Sequence, residues 1–401
     1  MNGYDIVVAG GGPAGLAAAA LVAQDGRRVA LLTGAAIAAE DPRTVALMQP
    51  QIRLLAHLGV WPGDLQAQVS PLRRLHMVDD TGAAVRAPIL TFDADEIGEP
   101  EFGWNIPLAL LVPALTVRAV EAGAVIIATD VTAAREAGAS IIVETGAGPF
   151  EAGLAIAADG RKSVLRDAAG IRCDAWSYDQ VAVATSFDHS GPHGGISTEF
   201  HRGAGPCTTV PLPGNRSSLV WMERPPRAAE LMAMNDGDLA VEIQIATHGE
   251  LGRVSAIGPR RAFPMQGLIA RSFAARRTLL VGEAGHVVPP IGAQGLNMSL
   301  RDAAQAAELI AGNADPGAPA VLHDYDLKRR RDVWPRQQMI HLMNRSLLSG
   351  LMPLEIARAI GLELLADFAP LRRYVMRRGL GPVTSLPRVM REQASASGAM
   401  G

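Results

Sequence analysis

The chain of 401 residues, 48% hydrophobic and 19% charged with a net charge of −3, is long enough for two domains around a large core, which excludes disorder and fibre. No apolar run approaches the roughly 18 to 20 residues of a spanning helix, and the first apolar stretch reads as a strand, so a cytoplasmic, unprocessed protein is expected. Cys173 and Cys207, the only cysteines, stand in neither a CxxC nor a metal-ligand spacing, so two reduced, packed thiols and no metal are expected.

Tyr4 to Ala9 predicts a short buried strand, followed at once by Gly10, Gly11, Gly12, Pro13, Ala14, Gly15 and a helical alanine-rich run. The pattern fits GxGxxG: Gly10 for the turn, Gly12 for close approach of a pyrophosphate, Gly15 for packing helix on strand. A second strand, Arg28 to Leu32, ends on Thr33 where an acidic residue for ribose hydroxyls is expected; Glu40 or a water-bridged Thr33 are the substitutes. A loop carrying Arg43, a phosphate or cofactor contact, precedes a helix through Ile52, Leu55 and Leu58 that stops at Gly59. Strands are predicted at 72–78 and 85–87, a helix over Leu108 to Ala122, and further strands at 124–128, 140–144 and 154–158. The last ends on Asp159 and Gly160 and runs into a helix with Ser163 and Arg166.

From Trp176 to about Phe263 the alternation predicts an antiparallel sheet and a second domain. Thr278 to Val281 then reads as a buried strand, Gly282 and Gly285 open a bend, and Pro289 and Pro290 stiffen a loop. Helical spacing returns at Gln294, with Leu296, Leu300, Ala303, Ala304 and Ala307 on one stripe. The unpaired N–H groups of Gly295, Leu296 and Asn297 point out of this helix start, a site for negative charge on a planar ligand. Beyond Pro319 the chain is predicted helical, with breaks at Gly350 and Pro353 and a disordered end, ASASGAMG. Residues 328–391 hold 13 Lys and Arg against 4 Asp and Glu, beside apolar stripes. Such a tail suits an anionic membrane surface or a partner protein; nucleic acid is not expected, because interleaved aromatics are missing.

Three motifs in order, GGGPAG, ADGRKSVLR and GEAGHVVPPIGAQGLNMSLRDA, resemble the class A FAD-dependent monooxygenases of the p-hydroxybenzoate hydroxylase fold. DPRTVALMQPQIRLLAHLGVW, FGWNIP, LMNRSLLSG and PLRRYVMRRGLGP are similar to the ubiquinone-biosynthesis hydroxylase family, over nearly the full length. The resemblance implies an α/β fold: a Rossmann-like FAD-binding domain (1–71, 102–175, 264–318), an inserted antiparallel-sheet substrate domain (72–101, 176–263) and a C-terminal helical region (319–401).

Carried over, the resemblance puts Gly10, Gly12, Ala14 and Gly15 at the pyrophosphate and Arg43 on the cofactor. Val131 is placed on the adenine through its backbone, and Asp159 and Gly160 match the family's DG motif. Glu283 stands where most relatives have Asp, near the ribityl or pyrophosphate. Gly292, Gln294, Gly295, Leu296 and Asn297 cradle the flavin, and Pro289, Pro290 and Ile291 are the catalytic loop that keeps water away. Leu108, Val112 and Thr33 depart from the family's polar pattern. His286 reads as a structural hydrogen-bonder, and Gln180, His201, Thr209 and Trp221 either face the substrate ring or pack in the sheet.

The implied activity is hydroxylation of a polyprenylated phenol in ubiquinone biosynthesis through a C4a-hydroperoxyflavin, with FAD as cofactor and O2 as co-substrate. NAD(P)H or a separate reductase supplies electrons; only one dinucleotide motif is present, so a pyridine nucleotide docks transiently. Two other readings stand beside it: a flavin hydroxylase of a soluble aromatic or secondary metabolite, and a catalytically silent flavin-binding subunit of a quinone-synthesis complex. The expected location is cytoplasmic with peripheral membrane association, among other quinone-synthesis proteins.

Overall fold

The computed structural model describes residues 3–34, 41–82, 88–348, 352–380 and 385–392. Glu40, the strand expected at 85–87, the break at Gly350 and the tail 394–401 lie outside the described residues. The chain opens with β1 (Gly3–Ala9), α1 (Pro13–Gln24) and β2 (Val29–Leu32). Pro13 occupies the first turn of α1, where no N–H is required, and Leu16 to Ala23 are all buried. Burying a side chain the size of Leu16 stabilises by about 1.5–3 kcal/mol, and the small alanines let α1 lie close on the sheet.

Next come β3 (Thr44–Met48), α2 (Gln49–His57), α3 (Gly63–Gln66), β4 (Ser70–Leu72), β5 (Arg74–Asp79), β6 (Leu90–Asp93), β7 (Gly103–Pro107) and α4 (Leu108–Glu121). They are followed by β8 (Val125–Ile127), β9 (Val131–Ala137), β10 (Ser140–Thr145), β11 (Phe150–Ala157) and α5 (Val164–Ala168). The strand expected over 72–78 is two strands in two sheets. β4 joins β3 and β7 in a three-stranded antiparallel sheet, while β5 enters the large sheet. The nucleotide sheet runs β18 (Ala274–Ala275), β19 (Thr278–Leu280), β11, β1, β2 and β8, parallel from β19 to β8, with β10 and β9 attached to β11 as an antiparallel ribbon.

The long β12 (Cys173–His189) crosses into the second body, followed by β13 (Ile196–Arg202), β14 (Gly205–Leu212), β15 (Arg216–Glu223), α6 (Pro225–Ala233), α7 (Asp236–Ala246), β16 (Val254–Ser255) and β17 (Arg261–Ala270). This region is not sheet alone, as its alternation suggested. α6 and α7 cover one face, burying Leu231, Leu239 and Ile243 against Phe187, Phe200, Cys207 and Trp221. Nor is the sheet purely antiparallel, because β13 and β5 pair in parallel. Both cysteines are free, and burial pushes the Cys207 thiol up to about 12.

The chain returns through β18 (Ala274–Ala275), β19 (Thr278–Leu280) and β20 (His286–Val287) to α8 (Gln294–Ala311), then α9 (Pro319–Leu348), α10 (Met352–Asp367) and α11 (Ala369–Leu380). Pro353 stands in the first turn of α10 rather than in a break, a position a proline tolerates. The basic segment is only partly a solvated face. Arg329 and Arg336 are buried against Asp302 of α8 and Asp332 of α9 itself, and Arg372 is ion-paired with Glu96 at 2.8 Å. Among the described residues no helix is long and apolar enough to cross a membrane, and no group of three or more His, Cys, Asp or Glu is placed to hold a metal.

Candidate functional site

At the β1–α1 turn, Gly10 has φ +116°, and a Cβ there would lie 2.0 Å from the Ala158 carbonyl oxygen. A Cβ on Gly15 would lie 2.0 Å from the Gly10 oxygen, so both positions are closed by backbone. Gly12 differs: a Cβ there would have nothing within 4 Å, which leaves open space in front of the first turn of α1. Those N–H groups and the helix dipole make that space an anion site. Ala158 brings Asp159 and Gly160 to the same turn. The Asp159 carboxyl accepts from the Leu165 N–H at 3.3 Å, and burial raises its pKa from its ordinary value. At the end of β2 the Gly34 N–H donates to the Thr129 oxygen at 3.0 Å, which brings Thr33 beside the segment leading to Val131.

The loop after β19 forms the opposite wall. A Cβ on Gly282, at φ +64°, would lie 3.1 Å from the Ser299 hydroxyl and 3.6 Å from the Ala14 Cβ, so this loop and the pyrophosphate turn are neighbours. Glu283 is half-exposed, 3.3 Å from the Arg161 guanidinium. Arg166, missed as a site residue, donates from one nitrogen to the Arg161 oxygen at 3.0 Å and the Ala284 oxygen at 3.2 Å, fastening the Asp-Gly segment to this loop. Pro289 and Ile291 are buried and Pro290 is exposed. Gly292 and Ala293 are both left-handed, with φ of 62° and 53°. For alanine that conformation is strained, and the consecutive pair turns the chain so that α8 begins with its free N–H groups facing the loop. Gln294, Gly295 and Leu296 are half-buried there. The buried Asn297 side chain clasps β3: its amide donates to the Ala46 oxygen at 2.7 Å and its oxygen accepts from the Met48 N–H at 2.9 Å.

Behind the loop lies a buried ionic cluster that sequence reading did not find. Asp302 accepts from the Gly282 N–H at 2.8 Å, the His286 imidazole at 2.7 Å and the Arg329 guanidinium at 2.6 Å. Burial alone would raise the Asp302 carboxyl, yet Arg329, His286 and the Gly282 N–H outweigh it and hold it below its ordinary value. Asp332 sits among Arg301, Arg329 and Arg336 and is held well below the carboxylate range in the same way. Tyr325 donates to the Leu280 oxygen at 2.8 Å and Gln337 to the Val287 oxygen at 2.8 Å, so α9 grips the loop along its length. The only trace in the sequence was the spacing Tyr325, Arg329, Asp332, Arg336 on one helix face.

This surface fits a dinucleotide cofactor. It offers an open cradle at Gly12, N–H donors at two helix starts and approach closed by backbone on either side. The family described as FAD binding domain matches residues 3–338. The chain belongs to that family. Within it the protein is a class A FAD-dependent monooxygenase beside the ubiquinone-biosynthesis hydroxylases. Ubiquinone hydroxylase UbiL of Rhodospirillum rubrum is 31% identical, over 96% of this chain and 92% of the relative. The 3-demethoxyubiquinol 3-hydroxylase of Escherichia coli is 29% identical, over 94% of this chain and 98% of the relative. The fold is that of p-nitrophenol 4-monooxygenase PnpA from Pseudomonas putida, with a TM-score of 0.78 at 18% identity, covering 96% of this chain and all of that one (100%).

The remaining expected residues of this monooxygenase divide by face. Arg43 is bound to Asp41 at 2.5 Å and lies 5.1 Å over the Phe263 ring, with Glu283 acting on its charge. Leu108 is buried with its N–H on the Arg43 oxygen, and Val112 packs against the core, so neither offers a polar group to the cofactor. Trp221 is directed to α6 and α7, and Thr209 follows it through its pairing with Leu219, so these two are packing residues rather than ring contacts. His201 bonds Glu199 at 2.7 Å on the opposite face, and Gln180 holds the Ala204 oxygen at 2.7 Å.

Proposed function

We propose that the protein hydroxylates the ring of a polyprenylated phenol in ubiquinone biosynthesis, with O2 as co-substrate and NAD(P)H or a separate reductase as electron source. The observation that carries this reading is the nearness of Gly282 to Ala14, where a Cβ on Gly282 would lie 3.6 Å from that of Ala14, so that the anion cradle and the loop leading to the strained helix start are neighbours. The names and near-complete coverage of the two ubiquinone-pathway relatives support the substrate class. FAD, when bound, supplies the electron transfer and oxygen activation that hydroxylation needs.

The chain's own residues do the rest. Gly10 to Gly15, Arg43 and Glu283 hold the diphosphate and ribityl length, Asp159 and Gly160 shape its near side, and the backbone of Val131 meets the adenine. The N–H groups of Gly295, Leu296 and Asn297 face the electron-rich pyrimidine edge, with Gly292 and Gln294 setting the turn. Pro289, Pro290 and Ile291 line the reacting side with apolar surface and keep water out. His286, bonded through Nε2 to Asp302 at 2.7 Å, positions the loop. The ring lies against the face of the large sheet that carries Ala182, Met222 and Met265. Ile360, Leu364, Phe368 and Leu371, exposed beside Arg373 and Arg377, form the face we assign to an anionic membrane.

The test is incubation of the flavin-loaded protein with NAD(P)H, a polyprenylated phenol and isotopically labelled O2. One labelled oxygen atom in the product is expected. Labelling of soluble phenols alone would replace the substrate class, and no oxygenation with any phenol would leave a flavin-binding subunit.

A further inference from the structure

We infer that Glu199 takes up the proton of the substrate's phenolic hydroxyl, with His201 as the positioning residue that holds its carboxylate in place. This rests on the reading that the ring lies against the face of the large sheet that carries Ala182, Met222 and Met265. Register puts Glu199 on that same face. In one row across the sheet Met77 of β5 pairs with Glu199 of β13, Glu199 with Thr208 of β14, Thr208 with Val220 of β15, and Val220 with Ala184 of β12. Phe200 and Cys207, one step along their strands, pack under α6 and α7 instead. Val220 packs with Ala182, Met222, Met265 and Phe263, whose ring lies under Arg43. Met77 packs with Ala46 of β3 and Ala293 of the flavin loop. Glu199 is therefore a charged group between two apolar clusters that both reach the cofactor side, and it stands two strand spacings, about 10 Å, from Val220.

His201 follows two residues later, so the pleat returns it to the same face as Glu199. Its Nε2 lies 2.7 Å from one Glu199 oxygen, with the His201 and Glu199 side chains only 5% and 16% exposed. A carboxylate only accepts, so the imidazole N–H is the donor, and the bond fixes the direction of the carboxylate. Asp79, cross-strand from His201 on β5, is engaged by the Thr81 hydroxyl at 2.7 Å. The second Glu199 oxygen accepts the ring hydroxyl. There the phenol O–H bond breaks, the proton passes to Glu199, and the electron pair stays on the ring oxygen, enriching the ring carbon that takes the new oxygen. When that carbon loses its hydrogen as a proton and the ring regains aromaticity, Glu199 returns its proton to the ring oxygen.

The experiment compares two substrates in the flavin-loaded enzyme: a polyprenylated phenol, and an analogue fluorinated on the ring so that its hydroxyl is ionised at the assay pH, with the reacting carbon left free. Hydroxylated product is measured for wild type, Glu199→Gln, His201→Leu and His201→Gln. Glu199→Gln should lower hydroxylation of the plain phenol by roughly 10²–10⁴-fold, the worth of a positioned base, and that of the ionised analogue far less. Flavin content and the rate of flavin reduction should stay unchanged. His201→Leu should show the same preference for the ionised analogue to a smaller degree, and His201→Gln, which keeps an N–H donor, should recover most of the loss. Full activity of Glu199→Gln on the plain phenol, or an equal loss on both substrates, overturns the inference. If Glu199→Gln does not fold, His201→Leu decides, and an equal loss on both substrates overturns it. Failure of the underlying reading has a separate signature: wild type itself hydroxylates neither phenol.

Discussion

At the Gly10–Gly15 turn the decisive contacts are made by backbone, either within the turn or to Ala158 just past the end of the adjacent strand β11. The loop from Gly282 to Asn297 is held instead by side chains from far along the chain: Asp302, Tyr325, Gln337 and, through Gln294, Arg336. One wall of the cofactor surface is thus set by the steric rules of glycine, and the other by a charge network with many members. The first kind of wall fails at one atom, while the second fails gradually as its members are removed.

The comparison breaks most sharply inside the turn. Gly12→Val should abolish FAD binding with helix content intact, read by flavin absorbance and circular dichroism, because the new side chain enters open space. Gly10→Ala should cost the fold itself, since its Cβ meets the Ala158 oxygen at 2.0 Å. Equal behaviour of the two variants would erase the distinction between cradle and packing glycine.

The loop wall is tested next by Asp302→Asn. Removing one member of a buried, hydrogen-bonded charge cluster costs about 3–5 kcal/mol. The Asp302 carboxyl is held below its ordinary value in the fold. Its contribution is therefore present above the unfolded carboxylate value of about 3.9 and is lost as pH falls through the folded value. The melting advantage of wild type over Asp302→Asn should hold from pH 7 to about 4 and shrink below that. An advantage independent of pH in acid would mean the carboxylate charge is not what holds the loop.

A smaller effect is expected from Arg43→Ala, which removes a partly exposed cation already ion-paired with Asp41. FAD affinity should fall roughly fivefold, about 1 kcal/mol, as for a solvent-screened charge contact. The smallest effect concerns the C-terminal helices. Arg373→Glu and Arg377→Glu, both exposed, should each weaken binding to anionic vesicles by up to ~1 kcal/mol with the fold unchanged. Arg372→Glu should lower the melting temperature as well, because its guanidinium is bound to Glu96 at 2.8 Å. Vesicle binding unaffected by the two exposed reversals would remove the membrane contact.

What the amino-acid sequence determined alone is the part whose physics is local. A buried strand, a glycine spacing and an alanine-rich helix specify the nucleotide turn, because turn, close approach and packing are settled by residues five apart and by steric exclusion at Cβ. The helix start at Gln294 was legible for the same reason. Tertiary structure decided the rest. Along α9 the spacing of Arg329, Asp332 and Arg336 is the same whether a guanidinium meets water or a buried carboxylate, and only the fold brings Asp302 and Arg301 opposite them. The face of Trp221 and Thr209 likewise depended on the helices α6 and α7 lying across the sheet, since alternation marks two faces of a strand but not which one a neighbouring element will cover.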